Sequence, residues 1–141
     1  MIYHPGMIRP VLVVQVALTV ALTTIAGAGV AHAEPPPPCS FTLSAPEVVQ
    51  VNGVDMVTAT AALAGCGPGA GPYVSVACVQ LQGNDLSSRC MQAHGTDAAQ
   101  VYYGPYRPGA TYVASGRGCA TWLGQSPAPL CQILGPNTAA L

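Results

Sequence analysis

The residues with the most chemistry open to them are six cysteines, at positions 39, 66, 78, 90, 119 and 131. Thiolates can hold a metal, attack a substrate or pair as disulfides. A structural metal site needs nitrogen and sulfur ligands at short spacings. No C-x-x-C pair occurs, and His94 is the one histidine after residue 33. An even cysteine count in a small exported domain reads instead as three disulfides. Oxidised cysteines do not ligate, so no metal is expected. His94 and Asp97 lie close together in H-G-T-D, but catalysis would also need a nucleophile and an oriented base. No G-x-S-x-G elbow is present. The tetrapeptide reads as a turn. GCGPGAG, residues 65–71, echoes a phosphate loop but lacks the Lys-Ser/Thr pair and leads to no helix, so it also reads as a turn. These absences point away from an enzyme and from any cofactor.

Aromatic residues are the remaining candidates. YYGPYRPGATY, residues 102–112, holds four of the six tyrosines, together with Arg107. Tyrosine and arginine suit binding patches through area, polar tips and stacking. Pro-Gly-x-Thr-Tyr is also what a corner between sandwich strands looks like, with the Tyr112 hydroxyl tied to nearby backbone. Tyr112 is read as structural; Tyr103, Tyr106 and Arg107 fit either role. Trp122, the single tryptophan, falls between Cys119 and Cys131. It reads as a cap over the disulfide or the core edge, or as part of a cleft.

These residues need a scaffold, and the first part of the chain is not it. After MIYHPGMIRP, with Arg9, a long uncharged apolar run ends at Ala31-His32-Ala33. That pattern fits an export signal, residues 1–33, cleaved before Glu34. An uncleaved membrane anchor is the alternative. Residues 34–38 form a proline-rich spacer, stiff in the polyproline II manner. The chain from Glu34 onward carries three arginines (Arg89, Arg107, Arg117) against five acids, four of them in the remaining domain, residues 39–141, and the chain has no lysine. Nucleic-acid binding and a polybasic membrane patch are excluded on that ground.

From Cys39 the chain reads as short strands separated by dense turns, the pattern of an all-β sandwich or barrel. Residues 57–63 place Val57, Ala59, Ala61 and Leu63 on one face. Residues 73–78 place Val74, Val76 and Cys78 together, and then Val79 and Leu81 fall on the opposite face. That phase change means a bulge or a strand covered on both sides. Residues 99–103 and 111–115 are two more strands; residues 86–93 fit a strand or an irregular return. Asn52-Gly53 is a favoured two-residue hairpin loop. Counting outward from it sets Val51 opposite Val54 and Cys39 opposite Cys66. Pro46 interrupts the count, because it has no N–H and demands an edge or a bend. Cys78 and Cys90 are symmetric about Asn84, and Cys119 and Cys131 about Gln125. The connectivity in which each pair closes its own hairpin is 39–66, 78–90 and 119–131. It is favoured over a 78–119 link between neighbouring strands.

YVSVACVQLQGNDLSSRC and GRGCATWLGQSPAPLCQILG, with CSFTLSAPEVV and NGVDMVTATAALAG before them, resemble the neocarzinostatin-type apoproteins of actinomycetes. The resemblance spans most of residues 40–135. It implies an exported immunoglobulin-like sandwich with local disulfides Cys78–Cys90 and Cys119–Cys131 and a last strand through Cys131-Gln132-Ile133. It also implies a cleft flanked by the 78–90 hairpin and the 119–131 loop, near Gln82, Cys78, Cys90 and Trp122. Two features depart from the family: Cys39–Cys66 is extra, and the segment from Cys90 to Cys119 is shorter, so a ligand-bearing hairpin is in doubt. Binding of an enediyne is therefore not carried over. The lysine-free, Ala/Gly/Pro/Val-rich composition looks like that of an exported mycobacterial-type protein.

The sequence thus leads to an immunoglobulin-like β-sandwich of about seven strands. The expected function is binding without catalysis, of a small apolar ligand in a cleft or of an envelope or protein partner. The ligand residues expected are Cys78, Gln82, Cys90, Tyr103, Tyr106, Arg107 and Trp122. A passive structural role in the envelope is the alternative. Intact-mass measurement of the exported protein should give a chain that starts at Glu34 and is lighter by six hydrogens than its reduced form. A mass retaining residues 1–33 would establish the anchor instead.

Overall fold

Asn52 and Gly53 both adopt positive φ, 52° and 80°, as a type I′ turn requires. This turn joins strands β2 (Glu47–Val51) and β3 (Val54–Cys66) of a computed structural model that describes residues 37–83, 87–124 and 129–141. The segment read as an export signal, and Asn84 and Gln125, read as turn centres, lie outside the described residues. The other strands are β1 (Cys39–Leu43), β4 (Ala70–Leu81), β5 (Arg89–His94), β6 (Ala99–Tyr103), β7 (Thr111–Trp122) and β8 (Leu130–Ala140). Residues 89–94 are thus a strand, which resolves the open reading of residues 86–93.

The hairpin register holds from Val51↔Val54 to Glu47↔Thr58. It then slips by one residue: Leu43 faces Ala61, and Phe41 faces Leu63. The extra residue lies on the side of Ser44, Ala45 and Pro46. A second irregularity, between Ser40 and Phe41, adds Ala64 on the other side and restores Ser40↔Gly65 and Cys39↔Cys66. A one-residue slip turns side chains to the other face of a sheet. Between the two bulges, Phe41 and Leu43 therefore share the inner face with Ala61 and Leu63. Ser44 repairs the ladder at the first bulge. Its N–H donates to the Thr60 carbonyl at 3.0 Å, and its Oγ accepts the Thr60 N–H at 2.9 Å. β1 and β2 are two halves of one edge strand, so the eight segments make seven strands.

One sheet is β1/β2–β3–β6, and the other is β5–β4–β7–β8, with antiparallel pairing in both. In immunoglobulin terms the order is A, B, E against C′, C, F, G. Tyr112 opens β7 fully buried, and its hydroxyl accepts the Arg107 N–H at 2.9 Å, a tyrosine corner. The core between the sheets is made of small residues: Val57, Ala59, Ala61 and Val101 face Ala77, Val79, Ala114 and Ala120. Tyr112 and Leu134 are larger members of it, and so is Phe41. Its ring lies against Gly118, where a Cβ would overlap ring carbons.

All six cysteines pair as read from the sequence: 39–66, 78–90 and 119–131, with Cα separations of 4.0, 4.1 and 4.0 Å. Each pair occupies directly opposed positions of one ladder. Each such bond contributes about 2–4 kcal/mol. Three disulfides fit an extracellular or exported protein.

Gly118→Ala should lower stability by about 1–3 kcal/mol, because overpacking forces side chains and backbone apart. Urea unfolding will measure it, and adding Phe41→Leu in the same chain should recover part of the loss. Ser75 supplies the opposite case. Its Oγ, on the core face of β4, is fully buried and has no hydrogen-bond partner among the described residues. Ser75→Ala should raise stability by about 1 kcal/mol, since a desolvated, unpaired hydroxyl is removed.

Candidate ligand groove

The phase change read in residues 73–81 has a simple structural origin. There is no bulge between Val74 and Leu81: the β4–β7 ladder runs without a shift from Val74↔Cys119 to Leu81↔Tyr112. Ser75, Ala77 and Val79 point into the core with no exposure. Val74, Val76 and Cys78 therefore point outward, onto the far face of the second sheet. Apart from Ser75 inside and Gln80 outside, strand β4 is apolar on both faces from Val74 to Leu81, which accounts for the phase change.

What gathers on that outer face follows from the registers. Val76 lies beside Arg117, and Arg117 beside Ile133; Cys78 lies beside Ser115 and is bonded to Cys90. Cys119–Cys131 lies one pair further along from Arg117 and Ile133 on the same face. Between Ala114↔Asn137 and Gly116↔Leu134, β7 passes one residue, Ser115, while β8 passes two, Gly135 and Pro136. β8 therefore bulges, and Pro136 has no N–H to return to the ladder. Gly135 has φ 79°, and a Cβ there would meet the Ala114 carbonyl oxygen at 2.8 Å, so glycine is required.

The bulge opens a groove of about 430 Å³ lined by Val76, Cys78, Ser115, Arg117, Ile133 and Pro136, with Gly116, Leu134 and Gly135 at its floor and side. That volume lies in the range of small-molecule sites, about 300–1,000 Å³. Ile133 is 78% exposed at its rim, the most exposed of the large hydrophobic side chains described. Arg117 is the single arginine among the lining residues.

Of the residues expected to bind ligand, Cys78 lines this groove, and Cys90 is its disulfide partner on β5. The others lie elsewhere. Gln82 is exposed at the end of β4, its N–H donating to the Thr111 carbonyl at 2.9 Å. Trp122 faces Ala70 at the opposite end of β7, with its ring edge beside Gly67. About ten residues of strand, roughly 33 Å at about 3.3 Å per residue, separate it from Tyr112. Gln82 and Trp122 are therefore not brought to one cleft. The Tyr103 and Tyr106 rings pack on Tyr112, with centroids at 5.8 and 6.4 Å, and the Tyr103 hydroxyl donates to Ser87 Oγ at 2.7 Å. Trp122 and Tyr103 thus do not converge. Arg107 is exposed and contributes its backbone N–H to the corner. His94 ends β5 with its ring edge-on to Tyr73 at 6.3 Å.

Sequence reasoning missed Val76, Ser115, Arg117, Ile133 and Pro136 as groove residues. The apolar run in residues 74–79 was the available signal, since one of its two faces had to lie outside the core. Gly135-Pro136 inside a strand was a second, because proline there marks an edge or a bulge.

Compared with known protein families, with curated proteins and with solved structures, the chain matches none.

Proposed function

We propose that this is an exported, non-catalytic binding protein that takes a small, mainly apolar ligand in the groove on the outer face of its second sheet. The observation that carries the reading is the groove itself: Val76, Cys78, Ile133 and Pro136 form an apolar surface around a break in the β7–β8 ladder. An apolar concavity with few polar groups is the usual form of a small-molecule site. The neighbouring Cys78–Cys90 disulfide lies where the neocarzinostatin-type resemblance implies a cleft, which adds support from the sequence side. Export to an oxidising compartment, with an actinobacterial envelope or medium as destination, agrees with the three disulfides. A passive envelope role is the second reading. It is favoured by the tyrosine and tryptophan rings, which lie at opposite ends of the sandwich and serve the corner and the core edge.

Titration with N-phenyl-1-naphthylamine, a neutral apolar fluorophore, tests the groove. Ile133→Ser should weaken its binding about fivefold or more, as apolar contact area is lost. Stability should change by no more than about 0.5 kcal/mol, because the side chain is largely in water. Trp122→Ala should leave this binding unchanged. A probe that ignores Ile133 and responds to Trp122 would move the site to the other end of the sandwich, and no binding at all would favour the passive role.

A further inference from the structure

The groove contains one feature that an apolar ligand alone does not explain. Only 6% of the chain is charged, and three of its arginines lie beyond the export segment. One of the three, Arg117, stands on the central strand β7 between Val76 and Ile133. The neighbours on its face are Cys78, Ser115, Cys119, Cys131 and Thr138, with Gln92 and His94 on β5. Among the described residues, no strand position on that face holds an Asp or Glu. Glu47 and Asp55 belong to the other sheet, and Asp97 follows β5 in the connection to β6. Among the described residues, Arg117 has no ion-pair partner.

A guanidinium beside apolar side chains, with no acid to neutralise it, is complementary to an anion delivered by a ligand. Its planar fork matches a carboxylate or sulfonate through two parallel hydrogen bonds. The Ser115 hydroxyl, in the same lining, offers a further donor. Arg117 and Ser115 are both exposed, so water screens this contact in part.

We infer that the groove selects amphiphilic small acids: an apolar body against Val76, Cys78, Ile133 and Pro136, and one anionic group on Arg117. This rests on the proposed binding function and names its ligand class.

Two probes with the same aromatic body separate the two ideas. 8-Anilinonaphthalene-1-sulfonate carries an anionic group, and N-phenyl-1-naphthylamine lacks it. Each is titrated against the full oxidised protein and its variants. Arg117→Gln should weaken binding of the sulfonate about three- to tenfold, the range of a partly exposed charge-assisted contact. Binding of the neutral probe should change less than about twofold. Arg117→Lys should restore part of the sulfonate affinity, and raising salt should weaken the sulfonate alone. Equal losses for both probes in Arg117→Gln would make Arg117 a wall of the groove and overturn the inference. So would no loss for either, with the groove reading intact in both cases. If neither probe binds the unmodified protein, the groove reading falls as well. Should Arg117→Gln aggregate, the Arg117→Lys variant and the salt series on the unmodified protein decide the same question.

Discussion

The closest approach between the two sheets follows one line, where Phe41 lies on Gly118. No disulfide crosses between them: each of the three closes a ladder within its own sheet. The core facing that line is mostly alanine and valine, which lets the sheets approach but supplies little area per residue. A phenylalanine ring fitted over a glycine places the largest apolar side chain of β1 into the opposite sheet. Around it, β8 supplies the polar half of the joint. Gln132 accepts the Phe41 N–H at 2.9 Å and donates toward the Phe41 carbonyl at 3.5 Å, and Asn137 donates to the Leu43 carbonyl at 2.9 Å. The outward backbone groups of β1 at Phe41 and Leu43 thus find side-chain amides where a further strand would otherwise pair. That blunts an edge and closes one side of the sandwich together.

This joint depends on the bulges. On β1, the slip at residues 44–46 brings Phe41 inward, and Ala64 on β3 cancels the slip so that Cys39 can meet Cys66. On β8, Gln132 and Leu134 face inward, opposite Gly118 and Gly116. Strict alternation would next turn residue 136 inward and residue 137 outward. The extra residue at Gly135-Pro136 reverses the phase, so Asn137 faces inward opposite Ala114 and reaches Leu43. The same irregularity opens the groove on the outer face. One device therefore both completes the clamp and makes the concavity. Changing Gly135 to relieve the bulge would be expected to disturb both.

Much of this was legible in the chain. Asn52-Gly53 announced the first hairpin, the symmetric cysteine spacings announced the three bonds, and Pro-Gly-x-Thr-Tyr announced the corner. These are local signals, each carried by a few residues with narrow conformational choices. The paired slips were less visible. Pro46 marked the first, but nothing in A-L-A-G marked Ala64 as the compensating residue. The requirement comes from Phe41 needing Gly118, a contact between positions far apart in sequence. The groove was half legible. The alternating pattern in residues 73–81 separated two apolar faces correctly, yet period alone does not say which face is the core. Trp122 misled for a related reason. Lying between two paired cysteines says which strands flank it, but not which end of the sandwich it occupies.

The position of the disulfides bears on how such a groove can bind. Cys78–Cys90 and Cys119–Cys131 both lie on the outer face, one on each side of the lining formed by Val76, Arg117 and Ile133. The walls belong to β4, β7 and β8, the first tied to β5 and the other two to each other. Binding costs rise when a site must be ordered as the ligand arrives, at about 0.5–1.5 kcal/mol for each flexible side chain fixed. Here most of the lining is short: Val76, Cys78, Ser115, Gly116, Gly135 and Pro136 have few rotamers to lose, and Cys78 is already crosslinked. Arg117 is the one long side chain among them. A ligand of the right shape would meet walls already in place and would need to order a single guanidinium, so that the contact carrying selectivity is also the one that carries most of the ordering cost.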